Sequence, residues 1–202
     1  MFDIVLRVKH ALSQIGRCFV WLYRFPYRRG YGIHSPFAYN LVTRVVYERS
    51  RFYAYAPLHG QRAKATLREK DDRLLLRLVN DFQPTCCVVL GAETEVTLRY
   101  LRAGCRRCTY WEGQKLPHGM HPDMLLVLPR GAEANVLEEV LRQMQKRSLV
   151  VVCGTHCSAA GRRLWQAVLQ SEREQIVFDL YDICFAYTAP TLTPAHYTVS
   201  YM

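Results

Sequence analysis

The chain has 202 residues, half of them apolar, and carries 27 Lys and Arg against 17 Asp and Glu, a formal net charge of +10. This composition excludes a disordered chain, and no apolar run approaches the ~20 residues that span a bilayer, which excludes a transmembrane helix. Residues 1–77 hold 15 basic and 5 acidic side chains and the remainder 12 of each, so contact with an anionic surface would involve residues 1–77.

A basic amphipathic helix is predicted for residues 2–23, where apolar side chains recur at three- and four-residue spacings: Val5, Val8, Leu12, Ile15, Phe19 and Leu22. Two interpretations stay open. The helix packs on the main domain, which we favour, or it lies on anionic lipid, a role that Trp21 and Tyr23 would suit. Arg24, Arg28 and Arg29 follow where a signal peptide would have small residues, so we expect a cytoplasmic protein.

Two more helices are predicted before residue 83. Ser35 can cap a helix that begins at Pro36 and runs to residue 49, and apolar spacing predicts another helix over residues 70–82. Residues 50–66 are aromatic and basic without periodicity, typical of a loop. We therefore divide the chain into a basic helical extension, residues 1–69, and a main domain, residues 70–202.

From Cys86 onward, apolar strands alternate with helices. The predicted strands are 86–91, 108–113, 123–129 and 148–154, and the predicted helices are 97–104, 134–147 and 159–172. This alternation requires a parallel sheet covered on both faces. Two last strand-like runs, 175–188 and 196–202, are predicted to pair antiparallel as an edge hairpin. The expected fold is α/β, with six strands.

Ligands of such a sheet bind where the strands end. The strand ends to inspect are residues 91–95, 112–113, 129–131 and 154–158. An acid at the end of the second strand, here Glu112, can accept hydrogen bonds from both hydroxyls of a ribose.

Several segments together resemble bacterial class I S-adenosylmethionine-dependent methyltransferases. They are GIHSPF, KDDRLLLRLVNDFQPTCCVVLGAETEVTLRYL, TYWEG, SLVVVCGTHCSAAGRRLWQAV, FDLYDICFAY and HYTVSYM, from about residue 28 onward. The resemblance implies a doubly wound Rossmann-like fold and S-adenosylmethionine as cofactor. At the matching positions it implies cofactor contacts from Gly91, Ala92, Glu93, Glu112 and Gly113.

The chain departs from that family in three places. Val89 stands where the first strand carries an acid, and Glu93 and Glu95 stand in a turn of small residues. Only the nine residues Gln114 to Pro122 separate Gly113 from Asp123, where the family has a further helix and strand. The fourth strand end lacks the family's acid pair. The cofactor site is therefore altered, and a reshaped site and a lost one both stay open.

The remaining roles follow from the resemblance and from side-chain chemistry. His156 is the candidate catalytic group, because imidazole moves protons near neutral pH; the alternative is a histidine held in its loop. His34, Arg130 and Ser158 are candidate substrate or lid residues. We predict a methyltransferase-like protein whose methyl acceptor, small or macromolecular, is unidentified. The alternative is a non-catalytic protein of this fold whose basic N-terminal region binds a partner, an anionic membrane surface or nucleic acid.

The cysteines suggest free thiols in a reducing compartment. Cys105 and Cys108 form a CxxC pair around two arginines, which would favour a thiolate. A zinc site would need His156 and Cys157 as further ligands, but in a parallel sheet those residues lie at the opposite end, so no metal site is predicted.

Overall fold

The computed structural model describes residues 16–113, 116–117, 119–171 and 173–201. Within them, one sheet of seven strands runs in the order β2-β1-β3-β4-β6-β5-β7. The strands are β1 (Cys86–Leu90), β2 (Thr109–Glu112), β3 (Met124–Val127), β4 (Ser148–Cys153), β5 (Ile176–Asp179), β6 (Ile183–Thr188) and β7 (Ala195–Thr198).

Helices cover both faces of this sheet. They are α1 (residues 16–24), α2 (Pro36–Leu41), α3 (Tyr55–His59), α4 (Glu69–Phe82), α5 (Glu95–Gly104), α6 (Ala134–Gln143) and α7 (Ala159–Leu169). Apolar residues of α2, α4 and α5 pack on one face, and those of α6 and α7 on the other. The predicted doubly wound α/β architecture is confirmed. Residues 2–15 of the predicted N-terminal helix lie outside the described residues. Among the described helices, none is long and apolar enough to cross a membrane.

Strands β1 to β4 are mutually parallel. β6 is antiparallel to both β4 and β5, and β7 runs parallel to β5. Strands β1 to β5 and β7 therefore end at one edge of the sheet, called here the carboxyl edge, where ligands of such folds bind.

The C-terminal strands differ from the prediction. Residues 175–188 are not one strand but a hairpin of β5 and β6, and the final run pairs parallel with β5 instead of antiparallel. The chain turns at Tyr181, whose φ is +78° and whose N–H donates to Asp179 Oδ1 at 2.8 Å. Leu180 is buried in the core. The apolar run therefore continues through the turn, and the sequence pattern does not show where the turn lies.

On the β2 side, the sheet ends early, as predicted. β2 is its last strand, and the described residues between Gly113 and Asp123 form no further strand. Asp123 itself fixes the start of β1, since its carboxylate accepts from the N–H groups of Thr85 at 2.8 Å and Cys86 at 2.9 Å.

Arg77 of α4 joins the N-terminal helices to the sheet. The helix that Ser35 caps becomes a π-helical turn over Val42–Val46. The buried guanidinium of Arg77 donates to the Val45 carbonyl at 2.7 Å and the Val46 carbonyl at 3.1 Å. It also donates to the Tyr201 hydroxyl at 3.1 Å. These carbonyls lie at the end of the helix, where further intrahelical partners are missing.

Candidate functional site

The turn after β1 is closed by backbone. Gly91 has φ +130°, and a Cβ there would lie 2.6 Å from the Leu128 carbonyl oxygen. The N–H of Ala92 donates to the Arg130 carbonyl at 2.7 Å. Only glycine fits this close approach. The resemblance implies a cofactor contact at Gly91. In the structure, the chain that follows β3 occupies the space beside this residue.

Glu93 and Arg130 form an ion pair above that turn. Glu93 adopts φ +57°, and its two carboxylate oxygens accept from Arg130 at 2.9 and 2.7 Å. Thr66, which precedes α4, donates to the Glu93 carbonyl at 3.2 Å. Both charged side chains are more than half exposed. Exposed pairs contribute at most about 1 kcal/mol, so this pair can open for a ligand at little cost.

Glu112 ends the edge strand beside this turn. It pairs with Val89 in register, and its carboxylate accepts a hydrogen bond from the Thr94 hydroxyl. A shallow cavity of about 430 Å³ adjoins it, lined by Thr94, Glu95, Leu98, Arg99, Arg102 and Glu112. Gly113 follows with φ +153°, where a Cβ would lie 2.7 Å from the Trp111 ring. The structure thus places the predicted cofactor residues at adjacent strand exits of one edge.

His156 lies at the exit of β4, which is two strands away from β1 in the sheet. Its Nε2 is 3.1 Å from Asp179 Oδ2, and its ring stacks on Tyr181 with centroids 5.0 Å apart. Arg24 of α1 also donates to Asp179 Oδ2, at 3.0 Å. Burial raises the pKa of Asp179, but the hydrogen bonds from His156 and Arg24 outweigh it and hold that pKa well below its usual range. An ionised Asp179 fixes the orientation of the imidazole ring.

Asp182 holds three parts of the chain together. Its buried carboxylate accepts from Arg17 of α1 at 2.9 and 2.7 Å, from Arg68 at the start of α4, and from the Cys157 thiol at 3.0 Å. Burial raises the pKa of Asp182, but the hydrogen bonds from Arg17 and Cys157 and the Arg68 charge lower it to about 2. Burial and Asp182 raise the pKa of Cys157 to about 11, so the thiol stays protonated.

Sequence reasoning missed Asp179 and Asp182. A signal was present: two acids bracket Leu-Tyr in an apolar run, and Arg17 and Arg24 stand seven residues apart, on one face of a helix. Nothing local indicates that the acids and the arginines meet, because more than 150 residues separate them.

The orientation of α1 follows from these ion pairs. Arg17 and Arg24 face the carboxyl edge, whereas Phe19, Leu22 and Tyr23 are 68%, 59% and 74% exposed. The helix does contact the main domain, but through its arginines. Phe19 and Leu22, the two residues of the predicted apolar stripe that the structure describes, face solvent.

His34 and Ser158 are placed apart from the β1 turn. His34 is exposed, and the preceding Gly32 and Ile33 line a cavity with residues 196–198 of β7, at the opposite edge of the sheet from β2. The Ser158 hydroxyl caps α7, accepting from the Gly161 N–H at 2.9 Å. Ser158 therefore has a local structural partner.

The thiols do not form the reactive pair that two arginines suggested. Cys105 and Cys108 are buried near the start of the strands, and burial raises the pKa of Cys108 to about 12, so that thiol stays protonated. At the carboxyl edge, ligand atoms of His156, Asp179 and Cys184 lie within 4.8 Å of one another. Arg24 already pairs with that carboxylate, and burial raises the pKa of Cys184 well above its usual value. We assign no metal to this group.

Comparisons with known proteins found likenesses only among solved structures. No family model and no curated protein matches the sequence. Among solved structures, the chain is similar to the SAH-bound methyltransferase PaMTH1 of Podospora anserina, at 11% identity and a TM-score of 0.50, over 76% of this chain and 96% of that one. It is also similar to the O-methyltransferase TomG of Streptomyces achromogenes in complex with SAM, at 13% identity and a TM-score of 0.46, over 69% and 91%. The first likeness shows that the chain has the Rossmann-like fold of methyltransferases.

Proposed function

We propose that the chain is a divergent methyltransferase-fold protein that binds S-adenosylmethionine at the exits of β1 and β2. One observation carries this proposal: the exposed carboxylate of Glu112 ends the edge strand next to an open cavity. A carboxylate at this position can accept hydrogen bonds from both ribose hydroxyls. The residues present therefore offer an acceptor for the ribose of the cofactor.

The methionine half of the cofactor cannot be bound by the backbone of a glycine-rich turn here, so it needs a different form of recognition. The N–H of Ala92 is already used, and Gly91 leaves no room. Instead, Glu93 and Arg130 offer opposite charges 2.7 Å apart on the surface. The amino acid end of the cofactor is a zwitterion, whose ammonium matches Glu93 and whose carboxylate matches Arg130. Insertion of the zwitterion would replace one exposed ion pair by two.

When bound, S-adenosylmethionine supplies an electrophilic methyl group. The chain itself supplies a proton acceptor further along the same edge, since Asp179 holds the His156 ring in one orientation. We propose that His156 takes the proton of a methyl acceptor at the β4 exit. The acceptor, small or macromolecular, is not specified by these residues.

Isothermal titration of the full chain with S-adenosylmethionine and S-adenosylhomocysteine tests the cofactor site. We expect micromolar binding that Glu112→Gln weakens at least tenfold, because hydrogen bonds to a charged group contribute about 1.5–3 kcal/mol. Arg130→Met should weaken binding too. Glu138→Gln, an exposed acid on α6, is the matched control and should bind normally. Absence of heat and of a thermal shift at millimolar ligand would refute the proposal.

The second candidate function is a non-catalytic one that uses the N-terminal region. It is favoured by the outward-facing apolar residues of α1. A nucleic-acid surface over residues 44–68 is less well supported, because Arg62 pairs with Asp72 and Arg68 pairs with Asp71 and Asp182. Those cations are largely neutralised within the protein.

A further inference from the structure

The outer face of α1 and the turn after it is an unusual surface. It consists of Phe19, Leu22, Tyr23 and Phe25, all exposed, with Trp21 half-exposed and edge-on to Phe25 at 5.4 Å. Single exposed apolar residues are common on proteins, but a contiguous group of this kind marks a binding surface.

This face cannot be buried by turning the helix over. Arg17 and Arg24, on the inner side, are held by the two carboxylates Asp182 and Asp179. A surface helix usually buries its apolar side and exposes its charges. Here the arrangement is reversed, and rolling α1 would break both ion pairs. The outer face of α1 is therefore left uncovered by the residues that the structure describes.

The charge around this face indicates the chemistry of its binding partner. Residues 16–47 contain five arginines and no acid. Arg28 and Arg29 are exposed and form no ion pair with any residue that the structure describes, and Arg28 lies over the Phe25 ring at 4.6 Å. Tyr31 beside them is also exposed. Aromatic rings with adjacent arginines are typical of the boundary between lipid headgroups and acyl chains.

Other occupants fit less well. A second copy using the same face would place Arg28 and Arg29 against the same arginines of its partner, with no acid to pair them. Nucleic acid would match the arginines but leave Phe19 and Leu22 against a polar backbone. An anionic lipid surface matches both, because it offers phosphates above hydrocarbon.

We propose that the outer face of α1 docks on an anionic membrane surface. Phe19, Leu22 and Phe25 enter the boundary between headgroups and acyl chains, and Arg28 and Arg29 contact lipid phosphates. The proposal does not depend on cofactor binding at the β1 and β2 exits, and either can fail without the other.

Vesicle flotation of the full chain tests the apolar contribution. We expect binding to vesicles of phosphatidylglycerol and phosphatidylcholine, reduced on the order of 30-fold by Phe19→Ser with Leu22→Ser, since two large apolar side chains leave the lipid. Tyr53→Ser with Leu169→Ser removes two other exposed apolar residues and should change binding less than twofold. Thermal unfolding of each variant confirms that it is folded.

The electrostatic contribution has its own matched pair. Arg28→Gln with Arg29→Gln should weaken binding on the order of 30-fold, at about 1 kcal/mol for each arginine near an anionic surface. Arg106→Gln with Arg107→Gln removes another exposed adjacent pair, beyond α5, and should have little effect. Equal binding to pure phosphatidylcholine would overturn the proposal. So would a stable dimer, twice 23.5 kDa, that ignores vesicles and becomes monomeric in the Phe19→Ser, Leu22→Ser variant.

Discussion

Replacement of Asp182 by Asn should remove a charge that stabilises the fold at neutral pH and not at pH 2. The pKa of Asp182 falls from the ordinary 3.8 to about 2 in the folded chain. At about 1.4 kcal/mol for each tenfold change in proton affinity, this corresponds to about 2 kcal/mol. Because the folded-state pKa is the lower one, the stabilisation is complete above about pH 4 and is lost as the pH falls toward 2. Arg17 and Arg68 are partly exposed, so water can solvate them in the variant.

Urea unfolding of the wild type and Asp182→Asn at several pH values measures this effect. We expect the variant to be less stable by about 2 kcal/mol at pH 6, with the difference shrinking toward zero near pH 2. Asp81→Asn is a control of opposite sign, since burial raises the pKa of Asp81; at pH 6 it should leave stability unchanged or raise it. A deficit of equal size at both pH values would refute the electrostatic reasoning, because it would mean that the introduced amide disturbs packing.

Three further predictions concern other contacts. Arg77→Met should lower the free energy of unfolding by about 3 kcal/mol, because buried carbonyls lose a charged donor; calorimetry should show a Tm lower by roughly 6–12 °C, and a drop below about 2 °C would contradict the assignment. Gly91→Ala should cost about 3 kcal/mol through positive φ and steric overlap, whereas Gly32→Ala, with φ +78° and no atom within 4 Å of its Cβ, should cost about 1 kcal/mol. The Cys157 thiol should react slowly with maleimide at pH 8, followed by mass spectrometry, and faster in Asp182→Asn; an unchanged rate would show that Asp182 does not hold the proton.

The central part of the fold could be predicted because its signals are local. Strands β1, β3 and β4 are apolar runs followed closely by Gly or Pro, and α4, α5, α6 and α7 show apolar stripes at helical spacing. Ordering them as a parallel sheet then places Gly91, Glu112 and His156 at one edge. These placements needed no knowledge of contacts between distant residues.

Other features depend on contacts that the sequence does not display. The hairpin of β5 and β6 turns inside an apolar run, where Leu180 is as buried as its neighbours. The orientation of α1 depends on Asp179 and Asp182, which lie far along the chain from Arg17 and Arg24. Local spacing identified an amphipathic helix, but only these ion pairs decide which side faces the sheet.

The contacts of Tyr201 can form only at the end of synthesis. Its hydroxyl accepts from Arg77, 124 residues earlier, and donates to the Lys70 carbonyl, 131 residues earlier. A ribosome releases residue 201 long after α4, so during synthesis the pocket around Arg77 stays open until β7 has emerged and paired with β5. Closing so long a loop is entropically costly and slows folding. The nascent chain would therefore carry Arg77 and the Lys70 carbonyl without their Tyr201 partner through most of its elongation.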